Sequence, residues 1–379
     1  MFSSYVGPGV SSGTSITAYF LNKGWVGVIW GPVAAAVVTA ILNYAYFLFT
    51  TIYRPEHYEE RMEMVCTNYG TVVKKIFGIY IDISIALSTI ITVATMISVE
   101  VGILNQVFGL DILITTIVFS ALLAVICMWG VGITERLSLT CTVLIVALVV
   151  ALLVIALPKT IGGSVEYMRL REPITTYGQK GLKGWIVFLT YSQMYQAALP
   201  STCPMLKDMH TKRDVVIATI LSVLPCLLLT VGLTLSYAAF MPDILQSEIP
   251  CLTLITRVIG DVRIVHVLYA VFVTLAIVTT CVGLLFGFAH RWEVSIKKLR
   301  VFQKTNPSLL RFGVNVVVIL ICTVGSSFGI MNLVNYGYIF MGEFGMPCTV
   351  FCAVTMFYVI RRDQKRGDLP KKLSESYFR

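Results

Sequence analysis

Three acidic side chains stand inside long apolar runs of this 379-residue chain: Asp82, Glu100 and Glu343. A carboxylate at the centre of a bilayer costs about 2.5–3.5 kcal/mol on insertion scales, so such residues usually carry function. No Lys or Arg stands within these runs, and each acid is therefore expected to be protonated, hydrated or bound to a cation. Glu343 and Asp82 are the candidate ion-coupling groups, with a gate or a structural hydrogen bond as the alternative for Glu343. Glu100, near the outer end of its run, is expected at the membrane interface.

A glycine- and serine-rich stretch near the start of the chain is the next candidate for chemistry. It reads Gly7-Pro8-Gly9-Val10-Ser11-Ser12-Gly13-Thr14-Ser15. Each Gly costs about 1 kcal/mol and Pro about 3 kcal/mol inside a helix, which predicts a break. Free amides near Ser11, Ser12 and Gly13 would attract an anionic group. Freed carbonyls near Val6 and Gly9 would bind a cation instead.

A second interruption is predicted over residues 190–200, with Pro204 following Pro200. The candidate substrate contacts here are polar or aromatic groups: Tyr191, Ser192, Gln193 and Tyr195. Packing between helices is the alternative for the two tyrosines. Broken backbone in lipid is tolerated only where it faces protein or a wet cavity.

The elements that must position these residues are membrane-spanning helices. The chain is 57% hydrophobic and 13% charged, with a mean hydropathy of +0.83. Runs of about 20 apolar residues each suffice to cross the hydrocarbon layer. We predict an all-α integral membrane protein with about ten crossings, at 2–22, 25–50, 74–105, 110–131, 134–157, 182–206, 214–240, 262–289, 309–331 and 333–360.

The distribution of basic residues predicts the orientation. With the N-terminus in the cytoplasm, 21 of the 29 Lys and Arg fall on the inner side, as the positive-inside rule requires. We therefore expect a multi-pass protein of the cell membrane with both termini cytoplasmic. The net charge of +9 reflects this bias and contact with anionic lipid, and not nucleic-acid binding.

The two interruptions begin crossings one and six, which are corresponding positions in two halves of five helices. Paired broken helices indicate an inverted-repeat transporter with its site at the bilayer midplane. The expected organisation is a single transmembrane domain over 1–360, with repeats at about 1–157 and 182–360 and a basic tail at 361–379. The alternative is that both interruptions are proline kinks needed only for packing.

Several other classes of protein find little support in the sequence. The ten cysteines form neither a disulfide framework nor a zinc pattern. Motifs for phosphate binding or hydrolysis are missing, so the chain is expected to be neither an enzyme nor ATP-driven. No cofactor is expected beyond a coupling ion. The segment 51–73 reads as a solvated cytoplasmic helix.

These features resemble the LeuT-type fold of the amino acid–polyamine–organocation superfamily, and within it the YkvI-type permease family. That family opens with a Gly-Ala-Gly-Phe-Ala-Ser-Gly-Gln-Glu pattern, which Gly7, Gly9, Ser12 and Gly13 match while Ser15 replaces the glutamate. Similar short motifs follow at Glu248-Ile249-Pro250, at Phe328-Gly329-Ile330, and at Gly337, Tyr338 and Gly342.

The resemblance implies a sodium site. In sodium-coupled members of this fold, adjacent hydroxyls on helix eight join carbonyls of helix one around Na⁺. Thr279 and Thr280 resemble that pair and, with Val6, Gly9 and Val10, make the candidate site. The alternative is that these threonines bond to their own helical turn or to a neighbouring helix.

The function expected from the sequence is secondary active transport of a small polar solute, an amino acid or a related amine. A Na⁺ or H⁺ gradient would drive it by alternating access. A membrane-embedded receptor that binds a solute without moving it, or a channel, remains the alternative. The sequence gives no indication of the oligomeric state.

Overall fold

A computed structural model describes residues 8–55, 58–128, 131–171, 182–196, 206, 209–297 and 305–367. Within these ranges the chain is almost entirely helical and contains no strand. Each backbone amide and carbonyl inside a helix is satisfied within its own segment, which is what the apolar composition demands in lipid. The predicted all-α architecture is confirmed.

We number the α-helices in chain order. Their bounds are α1 Pro8–Ser11, α2 Thr14–Tyr19, α3 Trp25–Tyr53, α4 Tyr58–Val65, α5 Thr71–Phe108, α6 Ile112–Met128, α7 Val131–Leu170, α8 Leu182–Gln196, α9 Lys212–Ala238, α10 Pro250–Ile259, α11 Arg263–Lys297, α12 Pro307–Ser326, α13 Ile330–Asn332 and α14 Ile339–Arg366. Short 3₁₀ turns cover Leu21–Lys23, Cys66–Asn68 and Asp243–Gln246. A π-helical turn, Leu333–Tyr338, joins α13 to α14.

Seven helices of the described chain are long and apolar enough to cross a membrane, by length and composition. They correspond to predicted crossings two, three, five, seven, eight, nine and ten. The shorter apolar helix α6, of 17 residues, occupies the place of crossing four. The largest boundary error is at α7, which continues to Leu170 although its apolar run was expected to end at 157. Pro158 does not stop it, because a proline kink is tolerated where neighbouring helices support the chain.

The first crossing is broken as predicted. Gly13 separates α1 from α2 with φ +82°, in the left-handed region that side chains other than glycine rarely adopt. Crossing six begins as α8, and its predicted break after Gln196 lies outside the described residues.

Contacts between the two halves of the chain hold the bundle together. Extensive contacts join α3 to α9, α5 to α11 and α6 to α12, and comparable contacts join α7 to α11, α7 to α9 and α5 to α12. In a five-plus-five numbering the first three pairs are crossings two and seven, three and eight, and four and nine. The division into inverted repeats stays a prediction.

The helix α4 does not lie free in solvent. Arg61 on α4 is 0% exposed, and its guanidinium lies over the ring of Tyr46 at 5.0 Å from the centroid. Val65 at the end of α4 and Phe49 on α3 belong to a second apolar core at this end of the bundle. The expectation of a solvated helix over 51–73 is therefore wrong for α4: a guanidinium over an aromatic face can be buried where an ammonium could not.

Candidate functional site

The break in the first helix is enclosed by two other elements. A Cβ added at Gly13 would overlap the Tyr237 hydroxyl, and would lie 2.9 Å from that ring's Cζ and 3.1 Å from Cβ of Pro250. Tyr237 ends α9 and Pro250 begins α10. Glycine is thus required here both for its backbone conformation and for the closeness of its neighbours.

The carbonyl groups at the break are held by outside donors. The hydroxyl of Tyr269 on α11 donates to the carbonyl of Ser11 at 3.0 Å. The amide of Cys251 on α10 donates to the carbonyl of Ser12 at 3.0 Å. The Gly13 amide, expected to be free for an anion, instead donates to the carbonyl of Val10 at 3.1 Å. Hydrogen bonds therefore join the broken turn of the first helix to α11 and to α10.

Hydroxyl groups line the same turn. The oxygens of Ser12 and Thr14 are 2.9 Å apart, and Thr17 donates to the carbonyl of Thr14 at 2.9 Å. The Ser15 hydroxyl is fully buried and has no hydrogen-bond partner in the described part of the chain. Among the hydroxyls of Ser12, Thr14, Ser15 and Thr17, that of Ser15 is the one without a hydrogen-bond partner within the described residues.

Aromatic rings close the bundle beyond α2. The hydroxyl of Tyr19 donates to the carbonyl of Tyr338 at 2.7 Å, which ties α2 to the π-helical turn. Asn22 and Asn335 join side-chain amides at 3.0 Å. The ring of Tyr191 packs edge-on against Tyr19, with centroids 5.1 Å apart. Tyr191 of α8 therefore packs against the end of α2 in this conformation, and its contact with a substrate stays a prediction.

Gln193 lies at a close crossing of α8 and α14. Oγ1 of Thr349 is 2.6 Å from Oε1 of Gln193. A Cβ on Gly345 would overlap the Gln193 amide, and one on Gly342 would lie 2.7 Å from Cβ of Thr190. Gly342 and Gly345 allow a close approach of the two backbones, as small residues do between membrane helices. The Gln193 amide is therefore engaged with α14 in this conformation.

We expect Thr349→Val to lower the Tm of the purified protein without changing which solutes stabilise it. The substitution removes the bond to Gln193, and such bonds between membrane helices contribute about 0.6 kcal/mol. Thr219→Val is the matched control, because Thr219 bonds only within its own helix, to the carbonyl of Val215. A changed solute preference in Thr349→Val alone would instead assign Gln193 to the substrate.

The two remaining candidates on helix six have different outcomes. The Ser192 hydroxyl donates to the carbonyl of Leu189 at 2.6 Å and lies 3.6 Å from the sulfur of Met346. The side chain of Tyr195 lies outside the described residues.

A cavity of about 20 Å³, the space of one water, lies between α3, α8 and α9. It is lined in part by Tyr191, Thr39 and Ser222.

The candidate sodium ligands are only partly described. Val6 lies outside the described residues, and Val10 is buried in the main core. The Thr279 hydroxyl is 2.9 Å from the carbonyl of Leu275 and 3.0 Å from that of Ala276, so it bonds to its own helical turn. Thr280 is half-buried, as is Gly9. Thr279 would have to turn its hydroxyl away from the helix in order to face an ion.

The three acids have different surroundings in the structure. Asp82 forms an ion pair with Arg291 of α11, and its side chain is 43% exposed. The expectation that no basic residue could pair with it is wrong, because α11 runs past the expected end of crossing eight and carries Arg291 back to α5. Glu343 is exposed on the stripe of α14 that also exposes Phe340, Val350 and Val354. The structure therefore does not enclose Glu343 with the helix-one residues.

Glu100 is the acid that the bundle buries. Its side chain is 0% exposed, and every residue from 93 to 101 of α5 is buried. Glu100 therefore does not reach solvent, and eight residues of α5 follow it, or about 12 Å of helix. Its position at the membrane interface stays a prediction. In the sequence, burial of Glu100 could have been predicted only from a polar partner on α11. Thr274 is that partner, and a single threonine in an apolar helix is a weak signal.

Comparison with known proteins identifies the fold. No protein-family model matches the chain, and no curated protein matches it. A Na⁺-coupled sialic acid symporter in its substrate-bound outward-open state is similar, with a TM-score of 0.58 and 16% identity over 94% of this chain and 77% of that one.

Mhp1, a nucleobase-cation-symport-1 family transporter, is similar in two conformations. Its closed form with bromovinylhydantoin bound has a TM-score of 0.55 and 15% identity, over 88% of this chain and 72% of that one. Its inward-facing form has a TM-score of 0.55 and 15% identity, over 94% and 78%. At such identities the likeness establishes the LeuT-type fold of this chain.

Proposed function

We propose that this protein is a secondary active transporter that moves a small polar solute, an amino acid or a related amine, across the cell membrane. The observation that carries the proposal is the broken first helix at Gly13, enclosed by α9, α10 and α11 in a fold shared with cation-coupled symporters. A helix broken inside a bundle exposes backbone groups at the depth where a solute must change sides.

The local chemistry supports a polar solute of modest size. The turn offers the hydroxyls of Ser12, Thr14 and Ser15, and the joint to α11 and α10 runs through the carbonyls of Ser11 and Ser12. Movement of the first helix away from α10 and α11 would release these carbonyls. Rocking of one helix group against the other would then alter the site in the way that alternating access requires.

Three finer proposals accompany this function. The chain is a YkvI-type permease, as the motif Gly7, Gly9, Ser12 and Gly13 suggests. Both termini lie in the cytoplasm, which the 21 basic residues on that side favour. Residues 1–360 act as one transmembrane domain, followed by a basic tail.

A coupling ion belongs to the proposal, because binding of an ion must favour the state that binds the solute. Na⁺ at Thr279, Thr280, Gly9 and Val10 is one candidate, supported by the hydroxyl pair and by the Na⁺-coupled symporter of like fold. H⁺ is the other. The two predict different responses to salt and to pH.

A thermal-shift screen of the purified protein against amino acids and amines tests the proposal. If Na⁺ is the coupling ion, a solute raises the Tm in Na⁺ but not in choline, and Thr280→Val abolishes the shift. Thr116→Val is the matched control, since the hydroxyl of Thr116 donates to the carbonyl of Ile112 within its own helix. A shift that ignores Na⁺ in both variants contradicts the sodium site.

Uptake into proteoliposomes separates transport from sensing. A transporter accumulates the stabilising solute inside vesicles when an ion gradient is imposed. Binding without uptake under either a Na⁺ or an H⁺ gradient would leave the receptor alternative, and the proposed function would fall.

A further inference from the structure

Glu100 has a single hydrogen-bond partner in the described part of the chain. Its Oε1 lies 2.6 Å from Oγ1 of Thr274 on α11, while Oε2 is buried with no partner. No Lys, Arg or His among the described residues forms an ion pair with it. An ionised carboxylate in this position would leave most of its lone pairs unsatisfied in an apolar core.

The hydrogens around Glu100 can be counted. Oγ1 of Thr274 is also 2.8 Å from the carbonyl of Ala270, and a hydroxyl carries one hydrogen for two such acceptors. If Thr274 donates to Ala270, the 2.6 Å contact requires a hydrogen on Glu100. The neutral acid then donates to Thr274, Thr274 donates to Ala270, and both short contacts are satisfied.

The groups that face Glu100 are neutral ones. Tyr269 and Cys281 of α11 lie within electrostatic range of its carboxyl. Cys251 of α10 touches Tyr269 in turn, and Cys322 of α12 lies near Cys281. Phenols and thiols are uncharged at neutral pH. Hard cations need about six oxygen ligands, and the described surroundings of Glu100 offer the carboxyl and Thr274, so a proton fits the site better than a metal ion.

We propose that Glu100 is the proton-coupling acid of this protein, held as a neutral carboxylic acid in this conformation by Thr274. The inference rests on the proposed function and specifies its coupling ion. Tyr269 lies on the same helix as Thr274 and donates to the carbonyl of Ser11. It therefore links the helix that holds Glu100 to the broken turn at Gly13.

The proton step follows from the contact between the first helix and α11. When the first helix moves away from α11, the bond between Tyr269 and the carbonyl of Ser11 breaks and water enters towards Glu100. The O–H bond of Glu100 then breaks, its proton passes to that water, and the carboxylate becomes hydrated. Return of the first helix excludes the water, and the carboxylate must first regain a proton, because an ionised carboxylate is not tolerated without a partner. Loading and release of H⁺ are thereby linked to the position of the first helix against α11.

Infrared spectroscopy of the reconstituted protein tests the protonation. We expect a carboxylic-acid carbonyl band that is absent in Glu100→Gln, shifted in Thr274→Val and unchanged in Thr274→Ser. Glu166→Gln is the matched control, since Glu166 is an exposed residue on α7. If the spectrum of Glu100→Gln keeps every carboxylic-acid band of the unmodified protein, Glu100 is ionised and the proposal is overturned.

Transport tests the coupling, with a mixture of the common amino acids as the probe and a pH-sensitive dye inside the vesicles. We expect an inward H⁺ gradient to drive accumulation by the unmodified protein, and Glu100→Gln to lose roughly 10-fold or more of that accumulation, as expected for loss of a coupling free energy. Exchange of solute without a gradient should persist in the variant.

The outcomes separate the two levels of inference. Accumulation that follows Na⁺ alone and is unchanged in Glu100→Gln overturns the role of Glu100 and leaves the transporter standing. Failure of the unmodified protein to move any amino acid under either gradient defeats the proposed function for this solute class, and the coupling role falls with it.

Discussion

Gly13→Ala is expected to destabilise the protein and to abolish solute binding. A left-handed backbone costs a side-chain-bearing residue about 1–2 kcal/mol. The added methyl group would also overlap the Tyr237 hydroxyl and press on Pro250, and overpacking of this kind costs about 1–3 kcal/mol more. Relief requires Tyr237 of α9 and the start of α10 to move, and movement of α10 would pull Cys251 from the carbonyl of Ser12. The Tm and the solute-induced shift in Tm are the measurements.

Gly109→Ala is the matched control for that experiment. Gly109, which follows the last residue of α5, lies in the same left-handed region (φ +69°, ψ 22°), but no atom lies within 4 Å of its added Cβ. It therefore bears the conformational cost without the steric one, and it should lower the Tm less and leave solute binding intact. Equal losses in the two variants would mean that the enclosure of Gly13 by Tyr237 and Pro250 contributes nothing.

Gly342→Ala is expected to have the second largest effect, by separating α8 from α14. Its Cβ would lie 2.7 Å from Cβ and 3.0 Å from the carbonyl oxygen of Thr190. A backbone oxygen cannot rotate away, so the two helices must move apart, at a cost of about 1–3 kcal/mol. We expect a lower Tm and slower solute uptake, since α8 leads into the predicted break of helix six.

The control for this variant is Gly313→Ala on α12, where an added Cβ meets no atom within 4 Å. Alanine is favoured over glycine in a helix by about 1 kcal/mol, so this variant should keep or slightly raise the Tm. A fall in Tm as large as that of Gly342→Ala would show that the loss comes from the helix itself and not from its contact with α8.

The sequence predicts the helices well because the membrane restricts what a chain can do. Apolar length defines each crossing, and the glycine-rich stretch at Gly13 has few alternatives to a break. The predicted ends of helices are less certain where a helix continues beyond its apolar run. That is why α11 was expected to end before Arg291, and why its ion pair with Asp82 could not be anticipated.

The depth and direction of single side chains depend on neighbours that the sequence does not display. Glu100 and Glu343 are both acids in apolar helices, and the apolar context does not show which of them the bundle encloses. Glu343 lies on an exposed stripe of α14, whereas Gly342 and Gly345 face α8. Glu100 is enclosed because α11 covers it, a relation between residues that are 174 positions apart.

The contact between α3 and α9 has a consequence for biogenesis. Asn43 of α3 bonds to Ser222 of α9, 179 positions later, and Thr234 bonds to the carbonyl of Val28, 206 positions earlier. At the usual pace of synthesis, roughly 5–20 residues per second, α3 waits about 10–40 s for its partner to be made. During that interval the amide of Asn43 lacks Ser222, so the contact that buries it in the finished bundle forms only after α9 is made.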